Sequence, residues 1–364
     1  MLPWSRHARP AALISKNASL SLDLLRGLAA LTVFLHHCNL LGLDGGVFSW
    51  LRKDVGHSAV VIFFVLSGYV ISATLPRNGS ALDYGIRRVS RIQSVAIPAV
   101  LLTWTLGLAA SHLALPGADD NYQLNKPWIY VPLALTFSGD LWGFAEPAFS
   151  NVPYWSLNYE VWYYVAFGIA VYTDGIRRWI GLLLVMTIMG PKLRLLFPIS
   201  LGGVAVSSLQ RSVPLSRCPA RIMVVGAIGV FLILKFLHWE DSINELLALI
   251  VDGGVIRGLR FSQWFLGDYG VAILSMALVY ALGSSEFRLP DAWNAPIVAF
   301  TNVSFSLYLV HYPLLIFFGG LLPDQRAVAT LLSLGVAIGF GIVFEPRKTL
   351  VRRMLTALVT RRVV

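Results

Sequence analysis

The sequence contains few charged residues and very few cysteines. Only 13% of its 364 residues are Asp, Glu, Lys or Arg, against roughly 25% in an average soluble domain. The two cysteines, Cys38 and Cys218, lie far apart, so the chain has neither a disulfide framework nor cysteine spacing typical of a metal site. In contrast, 56% of the residues are hydrophobic and the mean hydropathy is +0.68. This balance argues against a soluble domain and predicts an integral membrane protein.

Basic residues outnumber acidic ones by 29 to 19, which gives a formal net charge of +10. In a soluble chain this excess would suggest nucleic-acid binding, but here the basic residues cluster between apolar segments, as in cytoplasmic loops. We therefore expect no nucleic-acid partner. With the N-terminus in the cytoplasm, 19 of the 29 Lys and Arg residues fall on the inside. That bias predicts cytoplasmic termini and an even number of crossings.

Apolar stretches long enough to cross a bilayer recur along the chain, and they predict an all-α, polytopic transmembrane bundle of about ten helices. We divide the chain into a cytoplasmic segment (1–19), a transmembrane domain (20–346) and a basic cytoplasmic tail (347–364). The fifth and sixth helices are short and meet at Gly190-Pro191. The predicted helices are 20–41, 57–76, 93–115, 154–173, 178–190, 195–210, 220–238, 263–283, 297–319 and 327–346.

The first predicted helix contains an arginine and a histidine on one face. Arg26 and His37 are eleven positions apart, which is about three turns and places them about 16 Å apart along the axis. Asp23 lies one turn before Arg26 and can pair with it. Ionisable groups inside a bilayer are costly and mark functional candidates. The alternative is that Arg26 and His37 snorkel to opposite surfaces of the membrane.

The fourth predicted helix carries Glu160. Ser156, Tyr163 and Tyr164 lie three or four positions from it and so share its face. An interfacial belt explains aromatic residues at a helix entrance, but it does not explain a glutamate one to two turns inside. Because this helix enters from the outside, we expect Glu160 to lie near the outer third of the membrane.

The ninth predicted helix carries His311, with Tyr308 on the same face. A lone helical histidine is more often a hydrogen-bonding partner in packing than a catalyst, and that alternative stays open. Since this helix runs outward, His37, Glu160 and His311 are expected at similar depth. The sequence predicts that these three titratable groups converge.

A cluster of arginines precedes the third predicted helix on the cytoplasmic side. Arg87, Arg88 and Arg91 form a compact basic face, which suits phosphates because a guanidinium can donate two parallel hydrogen bonds. The same cluster would also serve as a topology signal in contact with anionic lipid.

Three predicted outer loops, at about 41–56, 116–153 and 239–262, are the places where the choice of a ligand on the outer side would be set. Their Trp and Asp residues suit sugar stacking and hydrogen bonding, and they equally suit an interfacial belt. The residues concerned are Trp128, Trp142, Asp119, Asp120 and Asp140.

These motifs, in this order, resemble the membrane acyltransferase-3 family over about residues 20–348. One departure is Ser94, where the family usually has a proline after the arginine motif; here the proline comes at 98. The matching elements are Arg26 with His37, the stretch Phe63–Ile71, Arg87-Arg88 with Arg91, Trp155-Ser156-Leu157 with Glu160, Ser306–Pro313, and Glu345-Pro346.

The resemblance implies an enzyme that transfers an acyl group, often acetyl, from cytoplasmic acyl-CoA to a hydroxyl of a carbohydrate or glycan, commonly outside a bacterial cytoplasmic (inner) membrane. It implies His37 as general base assisted by Glu160 and Arg26, with CoA phosphates on Arg87, Arg88 and Arg91. It implies no metal and no tightly bound cofactor. The remaining residues expected around the substrate are Asp23, Ser156, Tyr163, Tyr308 and His311.

A different class of function also accommodates intramembrane Arg, Glu and His: a proton-coupled secondary transporter or flippase of a glycan or small polar molecule. Such transporters commonly contain paired repeats, and the sequence shows none. The arginine cluster likewise has no obvious role in transport.

Overall fold

A computed structural model describes residues 14–47, 54–76, 79–116, 123–284 and 290–360, and within these ranges the chain is helical with no β-sheet. Residues 1–13, Arg77, Asp119, Asp120, Arg288 and the last residues of the tail, 361–364, lie outside the described residues. The all-α prediction is confirmed. The helices are α1 Lys16–Leu40, α2 Val55–Ala73, α3 Ala81–His112, α4 Pro127–Leu135, α5 Trp155–Tyr172, α6 Gly175–Ser212, α7 Arg217–Phe236, α8 Trp239–Ile250, α9 Gly253–Gly258, α10 Phe265–Ser284, α11 Asp291–Thr301, α12 Ser304–Leu321, α13 Arg326–Phe344 and α14 Lys348–Thr360.

Eight helical stretches of the described chain are long and apolar enough to cross a membrane. They are α1, α2, α3, α6, α7, α10, α12 and the stretch that begins with α13. The two further predicted crossings correspond to α5, which carries Glu160 and several tyrosines, and to the second half of α6. The architecture is a polytopic helical bundle.

Helix α6 contains two helical segments joined at Gly190, as Gly190-Pro191 predicted. Gly190 has φ of 69°, and a Cβ there would lie 2.8 Å from the backbone of Trp142, so both conformation and space require glycine. The first segment packs back on α5 through Gly181 and Ile169. The second segment, which follows Gly190, also contacts α5, because the carbonyl of Leu193 accepts from the Tyr163 hydroxyl. The chain is therefore kinked at Gly190.

The second segment of α6 packs closely along α2. A Cβ at Gly68 would lie 1.9 Å from the carbonyl oxygen of Ser200, and one at Gly203 would lie 2.1 Å from that of Val65. Small residues that let two backbones approach in this way are typical of helix pairs in membranes.

The segment between α3 and α5 enters the bundle and returns. The carbonyl of Leu124, before α4, accepts from Trp104 on α3 at 3.1 Å, and the carbonyl of Leu135, at the end of α4, accepts from Gln93 at 2.9 Å. Trp104 and Gln93 are eleven residues apart on α3, so α4 descends about 16 Å along it. The Tyr154 hydroxyl then donates to Ala134, so α5 starts deep in the bundle.

Three boundaries differ from the sequence prediction. Helix α3 begins at Ala81 instead of near residue 93, because Ser80 and Asp83 form a capping box there. The predicted helix 297–319 is two helices, α11 and α12, separated at Asn302-Val303. The basic tail contains the amphipathic helix α14.

The buried apolar residues form two clusters, one built mainly on α3, α12 and the α4 segment, the other mainly on α2, α5, α6 and α10. Helix α1 contributes Phe34 to the first cluster and Val33 to the second. It therefore lies along the seam between them, and the polar residues of the site lie in this seam.

Candidate active site

Two histidines from different helices touch in the seam. The Nε2 atom of His311, on α12, lies 3.1 Å from Nδ1 of His37, on α1. His311 is fully buried, with 0% of its surface exposed, whereas His37 is half-buried and packs edge-on against Tyr312. The prediction that His37 and His311 lie close together agrees with this geometry.

Backbone carbonyls determine where the protons of this histidine pair lie. Nδ1 of His311 faces the carbonyl oxygens of Leu307 at 3.0 Å and Tyr308 at 2.8 Å. Because a carbonyl only accepts, this Nδ1 carries the hydrogen, and Nε2 of the neutral imidazole is then an acceptor. Nδ1 of His37 faces that acceptor and the carbonyl oxygen of Val33 at 2.9 Å, so it also carries a hydrogen. The lone pair of neutral His37 is therefore on Nε2, as a general base requires.

A proline two residues after His311 leaves a carbonyl of α12 without its helical donor. Pro313 has no N–H to donate to the carbonyl of Leu309. The side chain of Asn151, which is 1% exposed, donates to that oxygen instead at 2.7 Å. The bond ties the loop before α5 to the turn of α12 that carries His311.

A second link joins the same loop to α12. The hydroxyls of Ser156 and Tyr308 lie 2.5 Å apart, and the Tyr308 hydroxyl also reaches the carbonyl of Pro153 at 3.2 Å. The Tyr308 ring lies between the histidine pair and the space below it, with its centroid 6.1 Å from that of His311. Ser156 thus contacts Tyr308, and the Tyr308 ring lies next to His311.

Below Tyr308 is an enclosed pocket of about 60 Å³, which we call the narrow pocket. Its polar centre is Glu160, which accepts from the Ser67 hydroxyl at 2.7 Å and from the Tyr164 hydroxyl. The residues of the narrow pocket used below are Arg26, Ser67, Arg91, Glu160, Tyr164 and Tyr308.

Glu160 does not join the histidine pair, which differs from the expected convergence. Gly56 of α2 packs on His36, beside His37, whereas Glu160 binds Ser67, eleven residues or about 16 Å further along α2. The reason is the descending α4 segment, because it makes α5 begin deep in the bundle instead of at its outer surface.

Tyr163 also lies away from this site. Its hydroxyl donates to the carbonyl of Leu193 at 2.7 Å, and its ring packs on Phe64 and Phe197. Tyr164, one position on, is the tyrosine that contacts Glu160. Helical spacing predicted both on one broad face, and the packing of α6 decides between them.

The narrow pocket continues into a larger, basic space of about 560 Å³, which we call the basic cavity. Arg26 and Arg91 line both, so they stand at the junction. Arg26 is paired with Asp23 at 2.8 Å, as predicted. The charged residues that line the basic cavity are Asp23, Arg26, Arg87, Arg88, Arg91, Glu345, Lys348 and Arg352.

Two guanidinium groups of the basic cavity have buried nitrogens without partners. Nη2 of Arg87 and Nε of Arg88 make no hydrogen bond within the part of the chain that the structure describes. An unsatisfied buried donor costs about 1–3 kcal/mol. These atoms are therefore suited to an anionic ligand, and phosphate oxygens match guanidinium geometry.

The loop residues predicted to contact a sugar differ in how much of their side chain is exposed. Trp128 is 70% exposed and Trp142 is 53% exposed, so both remain available to a ligand. Asp140 is buried and accepts from Asn158 at 2.6 Å, and burial raises the pKa of its carboxyl to about 6. Asp140 therefore acts in packing this loop. No three potential ligands converge as a metal site among the described residues.

Sequence reasoning missed three kinds of contributor to the site. Ser67 lies inside an apolar stretch, and only its register against α5 reveals the bond to Glu160. The role of Asn151 had a signal in the sequence: Pro313, a proline within a predicted helix, leaves a carbonyl that needs another hydrogen-bond donor. Lys348 and Arg352 were assigned to the basic cytoplasmic tail and not to the site.

Comparison with known families identifies the family of the chain. A model of an acyltransferase domain matches residues 19–345. The chain belongs to the membrane acyltransferase-3 family. The family prediction is thereby confirmed, and the match includes the histidine pair, the narrow pocket and Arg87, Arg88 and Arg91. It ends before α14.

One curated relative of this acyltransferase-3 member is an O-acetyl transferase of Shigella phage Sf6, which is 33% identical over 84 residues, or 23% of this chain and 25% of the phage protein. The chain thus spans about a quarter of the length of the relative it matches. No solved structure matches the chain.

Proposed function

We propose that this protein is an integral membrane O-acyltransferase that transfers an acyl group, in the first instance acetyl, from acyl-CoA to a hydroxyl of a carbohydrate or glycan. The observation that carries the proposal is the position of His37: its Nδ1–H faces His311, which leaves Nε2 as the basic nitrogen, and Tyr308 separates this pair from the narrow pocket that adjoins the basic cavity. The acyltransferase domain match and the name of the phage relative support the same reaction.

In this proposal the donor enters from the basic cavity, on the cytoplasmic side. Its phosphates bind the guanidinium groups of Arg87, Arg88 and Arg91, which lie on the first turns of α3. The pantetheine arm extends past Arg26 into the narrow pocket. The carboxylate of Glu160 and the hydroxyl of Ser67 are hydrogen-bonding partners for the amide groups of that arm. The thioester then lies near Tyr308.

The chemical step then needs a base at the far end of the arm. Nε2 of His37 removes the proton from the acceptor hydroxyl as its oxygen attacks the thioester carbonyl carbon. The carbon–sulfur bond breaks, and the CoA thiolate leaves and takes the proton from His37. Nδ1–H of His37 keeps its bond to His311 throughout, which holds the ring in the required tautomer. The products are an ester and free CoA.

Transfer is either direct or passes through an acyl group on Nε2 of His37. Rapid quenching with radiolabelled acetyl-CoA in the absence of acceptor separates the two routes. If the wild-type protein becomes labelled and His37→Ala does not, the covalent route is supported. If the wild-type protein stays unlabelled, direct transfer is supported.

The function is tested with full-length protein in detergent, acetyl-CoA, and envelope glycans extracted from a strain that lacks the gene. We expect free CoA thiol to appear only when the glycans are present, together with new acetyl esters on them. A protein that moves glycans across vesicles without releasing thiol would instead be the transporter or flippase considered above. In that outcome the acyltransferase proposal is wrong.

A further inference from the structure

The basic cavity has a wall that lies beyond the matched acyltransferase domain. That match ends at residue 345, yet Lys348, Thr349 and Arg352 of α14 line the basic cavity together with the arginines of α3. Lys348 and Arg352 are four positions apart and so share one face of the helix. Arg352 and Arg353 are both exposed, but only Arg352 lines the basic cavity.

Helix α14 is held in this position by the joint that precedes it. The carboxylate of Glu345 accepts from the backbone N–H of Ser306, in the first turn of α12, at 2.9 Å. Helix α14 then packs along α3. The position of Arg352 relative to Arg87 is therefore set by contacts at the joint and along α14.

The charge of the basic cavity exceeds what its own acids neutralise. Six of its lining residues are Lys or Arg and two are acidic, which leaves a surplus of four positive charges. The phosphates of CoA carry roughly four negative charges, about two on the 3′-phosphate and one on each unit of the diphosphate. A phosphate-free thioester would leave this surplus without a counter-charge.

The two ends of the basic cavity differ in a way that orients the ligand. Arg26 and Arg91 also line the narrow pocket, where the thioester end belongs, whereas Lys348 and Arg352 line only the basic cavity. The 3′-phosphate is the group at the opposite end of CoA from its thioester. We propose that Arg352, assisted by Lys348, binds the 3′-phosphate of CoA, so that α14 completes the donor site. This rests on the proposed function.

The test measures binding of CoA and of dephospho-CoA, which lacks only the 3′-phosphate, to full-length protein in detergent by titration calorimetry. For Arg352→Ala we expect the Kd for CoA to rise about tenfold, the loss of one charge-assisted hydrogen bond. The Kd for dephospho-CoA should change little. Arg353→Ala is the matched control, because it removes the same charge from the same helix outside the cavity, and it should leave both Kd values unchanged.

Three results would overturn the inference. Equal weakening by Arg352→Ala and Arg353→Ala would indicate a general charge effect. Equal weakening of both nucleotides by Arg352→Ala would place the guanidinium on the diphosphate instead. An unchanged Kd for CoA in Arg352→Ala would exclude Arg352 from the site. Wild-type protein that binds neither nucleotide would contradict the proposed function itself, so the two failures are distinguishable.

Discussion

The basic cavity and the histidine pair lie about 16 Å apart along α1, the distance between Arg26 and His37, and they are built in opposite ways. The basic cavity is wide, strongly positive and lined by guanidinium groups, two of which have buried nitrogens without partners in the described chain. The histidine pair is closely packed, and each Nδ1 has its hydrogen-bond partners.

This difference matches what the proposed function requires of each region. A binding region gains from donors that only the ligand satisfies, and the loss of one of several cations there weakens binding by a limited factor. A catalytic base gains from a fixed position and tautomer, so its partners are satisfied before substrate arrives. We therefore expect changes in the basic cavity to act on affinity and changes at the histidine pair to act on kcat.

The largest effect is expected for His37→Ala. Removal of the base should lower kcat by at least about 100-fold, while the Kd for CoA stays unchanged because His37 does not line the basic cavity. Thiol release gives kcat, calorimetry gives Kd, and the melting temperature in detergent reports on folding. If kcat remained near the wild-type value in folded protein, the base would be another group.

Replacement of His311 tests the hydrogen bond between the two imidazole rings. His311→Leu removes the imidazole acceptor of Nδ1–H of His37 and leaves only the carbonyl oxygen of Val33. We expect kcat to fall on the order of tenfold to 100-fold with the KM for acetyl-CoA unchanged. His311→Gln restores an acceptor oxygen and should recover part of kcat. Equal losses in the two variants, accompanied by lower melting temperatures, would mean that His311 acts only in packing.

The sequence allowed the two regions to be found separately, but it did not show how they are connected. The helical period places Arg26 and His37 on one face of α1, and the arginine motif marks a basic surface. The depth of Glu160 could not be read in this way, because it depends on the descent of α4, and α4 is held by backbone carbonyls of Leu124 and Leu135 that no side-chain pattern reveals. Register between helices likewise decides why Tyr164, and not Tyr163, meets Glu160.

Asn151 and Pro313 provide a test of how much of the outer geometry depends on one hydrogen bond. Asn151→Ala leaves the buried carbonyl of Leu309 without a donor, which should lower stability by about 1–3 kcal/mol and lower kcat as His311 shifts. Pro313→Ala supplies a helical N–H to the same carbonyl. The double variant should therefore recover both melting temperature and kcat relative to Asn151→Ala. If it is as impaired as the single variant, Asn151 acts through a contact other than this carbonyl.

The smallest expected effect is a dependence of stability on pH at Asp140, in the loop between α4 and α5. Burial raises the pKa of Asp140 to about 6 in the folded protein from a usual value near 4, while Asn158, Lys192 and Arg260 act in the opposite direction. The folded state therefore binds a proton that the unfolded state releases. The resulting stability is fully present below about pH 4 and is lost as the pH rises through about 6.

Asp140→Asn keeps the shape of the side chain and removes this titration. We expect the melting temperature of the wild type to fall between pH 4 and 7 by more than that of Asp140→Asn, with a difference on the order of 1–3 kcal/mol in the free energy of unfolding. Asp324→Asn, an exposed carboxylate in the loop between α12 and α13, is the matched control and should follow the wild type. Identical pH profiles in all three proteins would show that the bond to Asn158 and the nearby Lys192 and Arg260 offset the effect of burial on the pKa of Asp140. The polar groups of this loop, like those of the histidine pair, would then be satisfied without a ligand.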